Sequence, residues 1–264
     1  MFQPYLGPES TGAHDTMFDA KNLLDQFLGG AAPQQPPGAP RGGGLNDMLG
    51  QLSGGLAGGF GGGALAGGLA ALLLGSKQGR RIAGNVLQYG GMAVVGALAY
   101  RAYQNWQAGR AAMPGAQPAQ PVFLPPPGDT PFAPADANDQ QALARHLLRA
   151  MIAAAKADGH IDEKERAAIF AEMQKLPLGA DARAFVMEEL RKPLDIDAVA
   201  RAARTPEEAA SIYTASLLAV DVDNAAERGY LAMLAARLKL DDALVQHLHA
   251  TVEAASVPQP APAA

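Results

Sequence analysis

Apolar residues follow two different patterns along this chain. From Asn138 onward they recur at steps of three and four, the period of a helix with one buried face. Leu143, Leu147, Met151 and Ala154 make the first such stripe. A second helix is expected from Asp162, carrying Ile169, Met173 and Leu176 and ended by Pro177, which cannot continue the ladder of amide donors. A third runs from Asp181 to about Arg191 through Phe185, Val186 and Leu190, and a fourth spans about Asp195–Arg204. The fifth opens on Thr205-Pro206-Glu207-Glu208, where a hydroxyl cap, a proline at the first helical position and a glutamate at the third meet. It continues through Ile212, Tyr213, Leu217 and Val220. A sixth covers Asn224 to Leu238 and a seventh Asp241 to about Ala255. Strand-like alternation is absent beyond a few residues. The expectation is an all-α domain of about seven helices over residues 139–256, followed by a Pro/Ala tail at 257–264.

Before residue 110 the pattern changes. Leu52–Ser76 and Ile82–Tyr100 carry no charge, and each is about the length that crosses a hydrocarbon core as a helix, roughly 20 residues. Gly54, Gly58 and Gly62, and in parallel Gly55, Gly59, Gly63 and Gly67, recur every four residues, which lines small residues along one helical face where two backbones approach closely in lipid. In water the same glycines would weaken a helix by about 0.8–1.0 kcal/mol each relative to Ala. The alternative for residues 42–63 is a flexible Gly-rich linker, which does not extend to the apolar runs Ala64–Leu74 and Met92–Tyr100. Residues 45–107 are therefore expected to form a membrane segment, one span or a hairpin, with self-association through the glycine face. Tyr100, Tyr103 and Trp106, with Arg101 and Arg110, suit a membrane–water interface. The Lys77/Arg80/Arg81 turn and the Arg101/Arg110 pair pull the topology in opposite directions; the placement adopted puts the helical domain on the cytoplasmic side.

The remaining segments are connectors. Residues 14–28 place Met17, Leu24, Phe27 and Leu28 at roughly helical spacing, as a short surface helix or one lying on a membrane. The rest of residues 1–44 is linker by composition, and residues 108–138 form a Pro-rich spacer without a core of its own. Met1 to Gly12 lacks the basic start and apolar run of a cleaved signal peptide.

Charge and composition exclude several classes. Residues 1–110 hold 25 of the 30 glycines and seven Lys/Arg against five Asp/Glu, whereas residues 111–264 hold 14 against 21. An acidic helical domain argues against a nucleic-acid surface, which needs clustered cations. With no cysteine there is no disulfide, no thiolate nucleophile and no Cys-ligated zinc. No nucleophile–base constellation and no phosphate-binding glycine loop is present, so no catalytic residues are assigned.

Candidate chemistry concentrates in two acidic turns, Ala157-Asp158-Gly159-His160-Ile161-Asp162-Glu163-Lys164-Glu165 and Asp221-Val222-Asp223-Asn224-Ala225-Ala226-Glu227. Gly159 suits a left-handed helix end, and Asp162 with Glu165 forms a capping box that Asn224 and Glu227 repeat. After each glutamate, Ile169, Met173 and Leu176 match Leu231, Ala235 and Leu238 in offset, an imperfect helix-pair repeat. Capping leaves over Asp158 and Asp221, which continue their buried stripes by four into a last turn whose dipole disfavours a carboxylate. Two readings stand. The acidic groups either serve capping alone, or Asp158, Asp162, Glu165, Asp221, Asp223 and Glu227 converge as oxygen ligands for a divalent cation such as Ca²⁺ or Mg²⁺. The spacing is not that of an EF-hand. His160 reads as solvated, and His247 and His249, two apart, lie on different helical faces.

The run Ala153-Ala154-Ala155-Lys156-Ala157-Asp158-Gly159-His160-Ile161-Asp162-Glu163-Lys164-Glu165-Arg166, with Ala219–Asp223 and Glu227-Arg228-Gly229-Tyr230-Leu231, resembles the TerB-like (tellurite-resistance) superfamily, closest to its YebE-type bacterial inner-membrane branch. The resemblance covers about residues 138–256. It implies a compact helical domain at the inner membrane, stress- or envelope-related sensing or scaffolding without catalysis, and metal binding by acidic residues at the positions of Asp158, Asp162, Glu165, Asp221 and Glu227. The alternative is a structural protein–protein interaction module.

Overall fold

The computed structural model describes residues 18–29, 90–112, 125–157, 178–220, 222 and 225–256, together with 167, 169–171 and 173–174. Among these residues the chain is all-helical: α1 (Ala20–Gly29), α2 (Gly91–Gln107), α3 (Ala137–Ala155), α4 (Ala180–Arg191), α5 (Ile196–Arg201), α6 (Pro206–Ala219), α7 (Ala225–Arg237) and α8 (Asp242–Ser256). Ala167, residues 169–171 and Met173 are also helical, and Ile169 and Met173 are buried, as their spacing predicts. Thr130 and Ala133 form an isolated bridge in the turn before α3.

Helix α6 is the centre. Every residue from Glu208 to Ala219 is buried, which a helix achieves only when it is enclosed on all sides rather than on one stripe. Its small residues, Ala209, Ala210 and Ala215 among them, let α3, α2 and α8 pack closely around it. Its hydroxyls are satisfied internally: Thr214 donates to the Ala210 carbonyl at 2.8 Å, Ser211 to the Glu207 carbonyl at 3.1 Å and Ser216 across to Ala150 of α3 at 3.3 Å.

The predicted Thr205 cap recurs with one difference, while the capping residues Asp162, Glu165 and Asn224 lie outside the described residues. Thr205 accepts from the Glu208 amide at 3.2 Å, but the Glu208 carboxylate does not return to the cap. It accepts instead from the amide of Arg204 at 2.8 Å and from the Arg204 guanidinium at 3.0 Å. Aspartate is the usual N-terminal partner elsewhere: Asp19 for α1, Asp136 for α3, Asp195 for α5 and Asp241 for α8, each accepting a backbone amide at 2.8 Å.

Helix α2 departs from the sequence expectation. Its apolar residues belong to the second uncharged stretch, which length, apolarity and the flanking aromatic residues assigned to the membrane. In the fold Met92, Val94, Val95, Leu98, Ala99 and Ala102 are buried against α8, α6 and α1. Among the described residues no helix is long and apolar enough to cross a membrane. An uncharged apolar helix reads alike in lipid and in a protein interior, so hydropathy does not separate the two. Tyr100 and Tyr103, expected at a lipid interface, pack edge-on against Phe132 with ring centroids 5.5 and 5.6 Å away. Phe132, inside the Pro-rich spacer, is buried and joins the same core. Helix α1 also joins it, burying Ala20, Leu23 and Leu24 against α2 and α3. Asp25 of α1 accepts the Met92 amide at 3.2 Å, supplying the cap that Gly90 lacks.

The remaining stretch, Leu52–Ser76, its four-residue glycine rows and the basic turn at 76–81 lie outside the described residues, as does the Pro/Ala tail.

Candidate functional site

Of the six predicted cation ligands, Asp158, Asp162, Glu165, Asp221 and Asp223 lie outside the described residues. Glu227 is described: it is half-buried in the first turn of α7. Beside it Arg228 donates to the Val222 carbonyl at 2.9 Å, bracing the end of the second acidic turn. Among the described residues no three or more His, Asp or Glu side chains gather as a metal site.

What the structure does place is the approach to the first acidic turn. Helix α3 ends at Ala155, and Lys156 follows as its C-cap residue. The Lys156 ammonium reaches across to the end of α4, donating to the Glu189 carbonyl at 3.1 Å and to the Lys192 carbonyl. A cation there satisfies carbonyls that a helix C-terminus leaves open and complements its dipole. Burial pushes the Lys156 ammonium below its ordinary value, and the neighbouring Glu189 pulls it back. The residue two positions before Asp158 is thus tied to α4.

Glu189 is the hub of this region. Its carboxylate accepts from Arg149 of α3 at 3.1 Å and from Lys192 at 2.8 Å. Lys192 also pairs with the exposed Glu188 at 2.8 Å, and that hydrogen bond raises the Lys192 ammonium while holding the Glu188 carboxyl low. The Arg149 guanidinium lies 5.7 Å from the centroid of the Phe185 ring, which also stacks on Phe18 with centroids 4.6 Å apart. Between α3, α4 and α5, Arg149, Lys156, Glu189 and Lys192 rim a cavity of about 320 Å³ with Ile152, Val199 and Ala202 in its apolar lining. His146 also lines it, its Nδ1 buried with no hydrogen-bond partner among the described residues. Burial lowers the His146 imidazole, opposed by the charge of Glu208, so a neutral ring faces the cavity at neutral pH. The arrangement is a charge-neutralised clamp between helix ends, with no nucleophile set against a base.

The histidines of α8 separate as their spacing requires. His247 Nε2 meets the Arg110 carbonyl at 2.9 Å, and His249 Nε2 meets the Tyr213 hydroxyl at 2.9 Å. Burial raises the Tyr213 hydroxyl and lowers the His249 imidazole, so the two meet as neutral groups at neutral pH. The sequence reading did not assign roles to His146, Arg149, Glu189 or Lys192. The only local signal was the cation-and-carboxylate composition of the α4 C-terminus, which reads as a solvated face until α3 is laid against it.

Comparison with known proteins agrees on scale and leaves the chemistry open. A profile described as "Protein of unknown function (DUF533)", a family related to TerB-like proteins, matches residues 59–252. An "Uncharacterized protein in ampR 5'region" of Yersinia enterocolitica is 36% identical over 96 residues, covering 36% of this chain and 69% of that protein. No solved structure matches. The family match spans residues 59–252, more than half of the chain and from the Gly-rich stretch to α8, so the chain belongs to the DUF533 family.

Proposed function

We propose that this chain is a non-enzymatic, membrane-attached helical module of the YebE type, at the bacterial inner membrane with its helices on the cytoplasmic side. In this reading Leu52–Ser76 makes the attachment, because the apolar residues of α2 are already engaged by the helical unit. The observation that carries it is the extent of the family match, residues 59–252, which takes in part of the glycine-rich stretch together with the helices. The polar interior supports a binding rather than a reacting role: Glu208 is held by Arg204, His249 by Tyr213 and His247 by a backbone carbonyl. The test is vesicle flotation of the full chain against a variant lacking residues 52–76. The full chain floats and the deletion stays at the bottom; a full chain that stays at the bottom sinks the attachment.

The acidic turns, in the same proposal, hold a divalent cation that sets the α3–α4 junction, since Lys156 links the first turn to α4. Calorimetric titration of the full chain with Ca²⁺ and with Mg²⁺ then gives saturable heat, lost in Asp158→Asn. A second reading has its own support. Four described helices take Asp as the N-terminal amide acceptor, and the second reading gives Asp162 that same capping role alone. Absence of cation heat together with unchanged stability of Asp158→Asn selects this second reading, a protein–protein interaction module.

A further inference from the structure

A second cavity, of about 620 Å³, opens between the C-terminal end of α2, the α5–α6 turn and the α7–α8 turn. Its lining includes the Trp106 and Tyr103 rings, with centroids 5.3 Å apart, and Leu240 and Leu244. It also includes the cations Arg201, Arg204, Arg237 and Lys239 and the carboxylates of Asp197 and Asp241.

Those carboxylates and cations are unequally engaged. Asp241 accepts the Trp106 indole at 3.3 Å and the Ala243 amide at 2.8 Å. Asp197 takes one nitrogen of Arg237 at 2.7 Å, leaving the rest of that guanidinium to the cavity. Arg204 is committed to Glu208 and Asp139. Arg201 has only a 3.8 Å approach to Asp195, and no partner is seen for the Lys239 ammonium among the described residues.

Lys239 also stands where the backbone asks for glycine. The amide of Leu240 donates to the Ala235 carbonyl at 3.0 Å and that of Lys239 to Ala236 at 3.2 Å, the paired bonds that close a helix through one left-handed residue. That residue is Lys239, at φ 55. A side chain in this region is strained, and such strain is associated with sites where the side chain is used.

We propose that this cavity binds a small organic phosphate carrying a flat ring, of the nucleotide class. Arg201, Arg237 and Lys239 offer spare donors to a multiply charged phosphate. Trp106, half-buried and backed by the buried Tyr103 ring, offers the stacking surface, which suits any flat base. The volume is within the range of small-ligand sites.

Trp106 is the single tryptophan of the chain, so its fluorescence reports on this cavity alone. The full chain is titrated with adenosine monophosphate, and separately with adenosine and with inorganic phosphate, exciting at the red edge of indole absorption. The expected result is a saturable change with the nucleotide, weaker by about tenfold or more with either part alone. Lys239→Gly removes the ammonium and the backbone strain together, so it keeps or raises thermal stability while weakening nucleotide binding by about fivefold or more. A nucleotide response absent in the wild type, equal for inorganic phosphate, or unchanged in a folded Lys239→Gly overturns the proposal.

Discussion

The carbonyl oxygen of Phe132 lies 2.5 Å from the point a Cβ would occupy at Gly96. The turn before α3 therefore rests directly on the backbone of α2, and only glycine permits that approach. Gly96→Ala must displace Phe132 from between Tyr100 and Tyr103, or bend α2. We expect a loss of about 1–3 kcal/mol, as for other overpacked interiors, measured by urea denaturation of the full chain. Phe132→Ala, which empties the same place, is expected to cost about 3–5 kcal/mol. An unaffected Phe132→Ala would mean that the Pro-rich spacer does not belong to the core.

Asp25 holds the start of α2 from a different helix, since its carboxylate accepts the Met92 amide and also pairs with Lys21 at 2.8 Å. Asp25→Ala is expected to lower stability by about 1 kcal/mol, the usual cost of a lost cap. Hydrogen exchange localises the effect: the Met92 amide should exchange faster while amides in the middle of α6 keep their protection.

Glu208 is buried, with its side chain 8% exposed, while its partner Arg204 is 55% exposed. The two truncations are therefore unequal. Glu208→Ala strips the acceptor from the half-buried Arg204 amide and opens a gap beside α3, and we expect it to cost about 1–3 kcal/mol. Arg204→Ala leaves Glu208 its bond to that amide and lets water reach the carboxylate, so the smaller loss is expected there. Thermal denaturation of both variants checks the order.

Two half-buried histidines give the stability a pH dependence of definite sign. Burial places both His146 and His249 below the ordinary value of 6.5. The unfolded chain then binds protons more readily than the folded one, so the stabilisation is complete above 6.5 and is lost as pH falls from there through the folded values. Tm should decline on acidification from neutral pH, and the double variant His146→Gln, His249→Gln should flatten that decline. An equally steep decline in the double variant would assign the effect to carboxylates.

Much of the fold was legible because its signals are local. The stripe Leu143, Leu147, Met151, Ala154 encodes α3 and its buried face, and Thr205-Pro206 encodes the start of α6, since capping and periodicity involve residues within one or two turns. For α6 the same reading stopped short. Its stripe was visible, whereas its enclosure on every side depends on α2, α3 and α8 arriving from distant parts of the chain. In the sequence the surplus of Asp158 and Asp221 over capping was legible, and both lie outside the described residues. The clamp of Arg149, Glu189, Lys156 and Lys192 was not legible, because it joins residues 33 to 40 positions apart.

By itself, then, the sequence determined an all-helical C-terminal unit and the Thr205 cap of α6, consequences of short-range backbone and side-chain chemistry. Only the tertiary structure decided where α2 belongs. Hydropathy records that Met92–Tyr100 avoids water, and that preference is met equally by lipid or by a protein core. What distinguishes them here is shape: Gly96 under the Phe132 carbonyl, Asp25 at the Met92 amide, and a row of small and branched side chains fitted against α6 and α8.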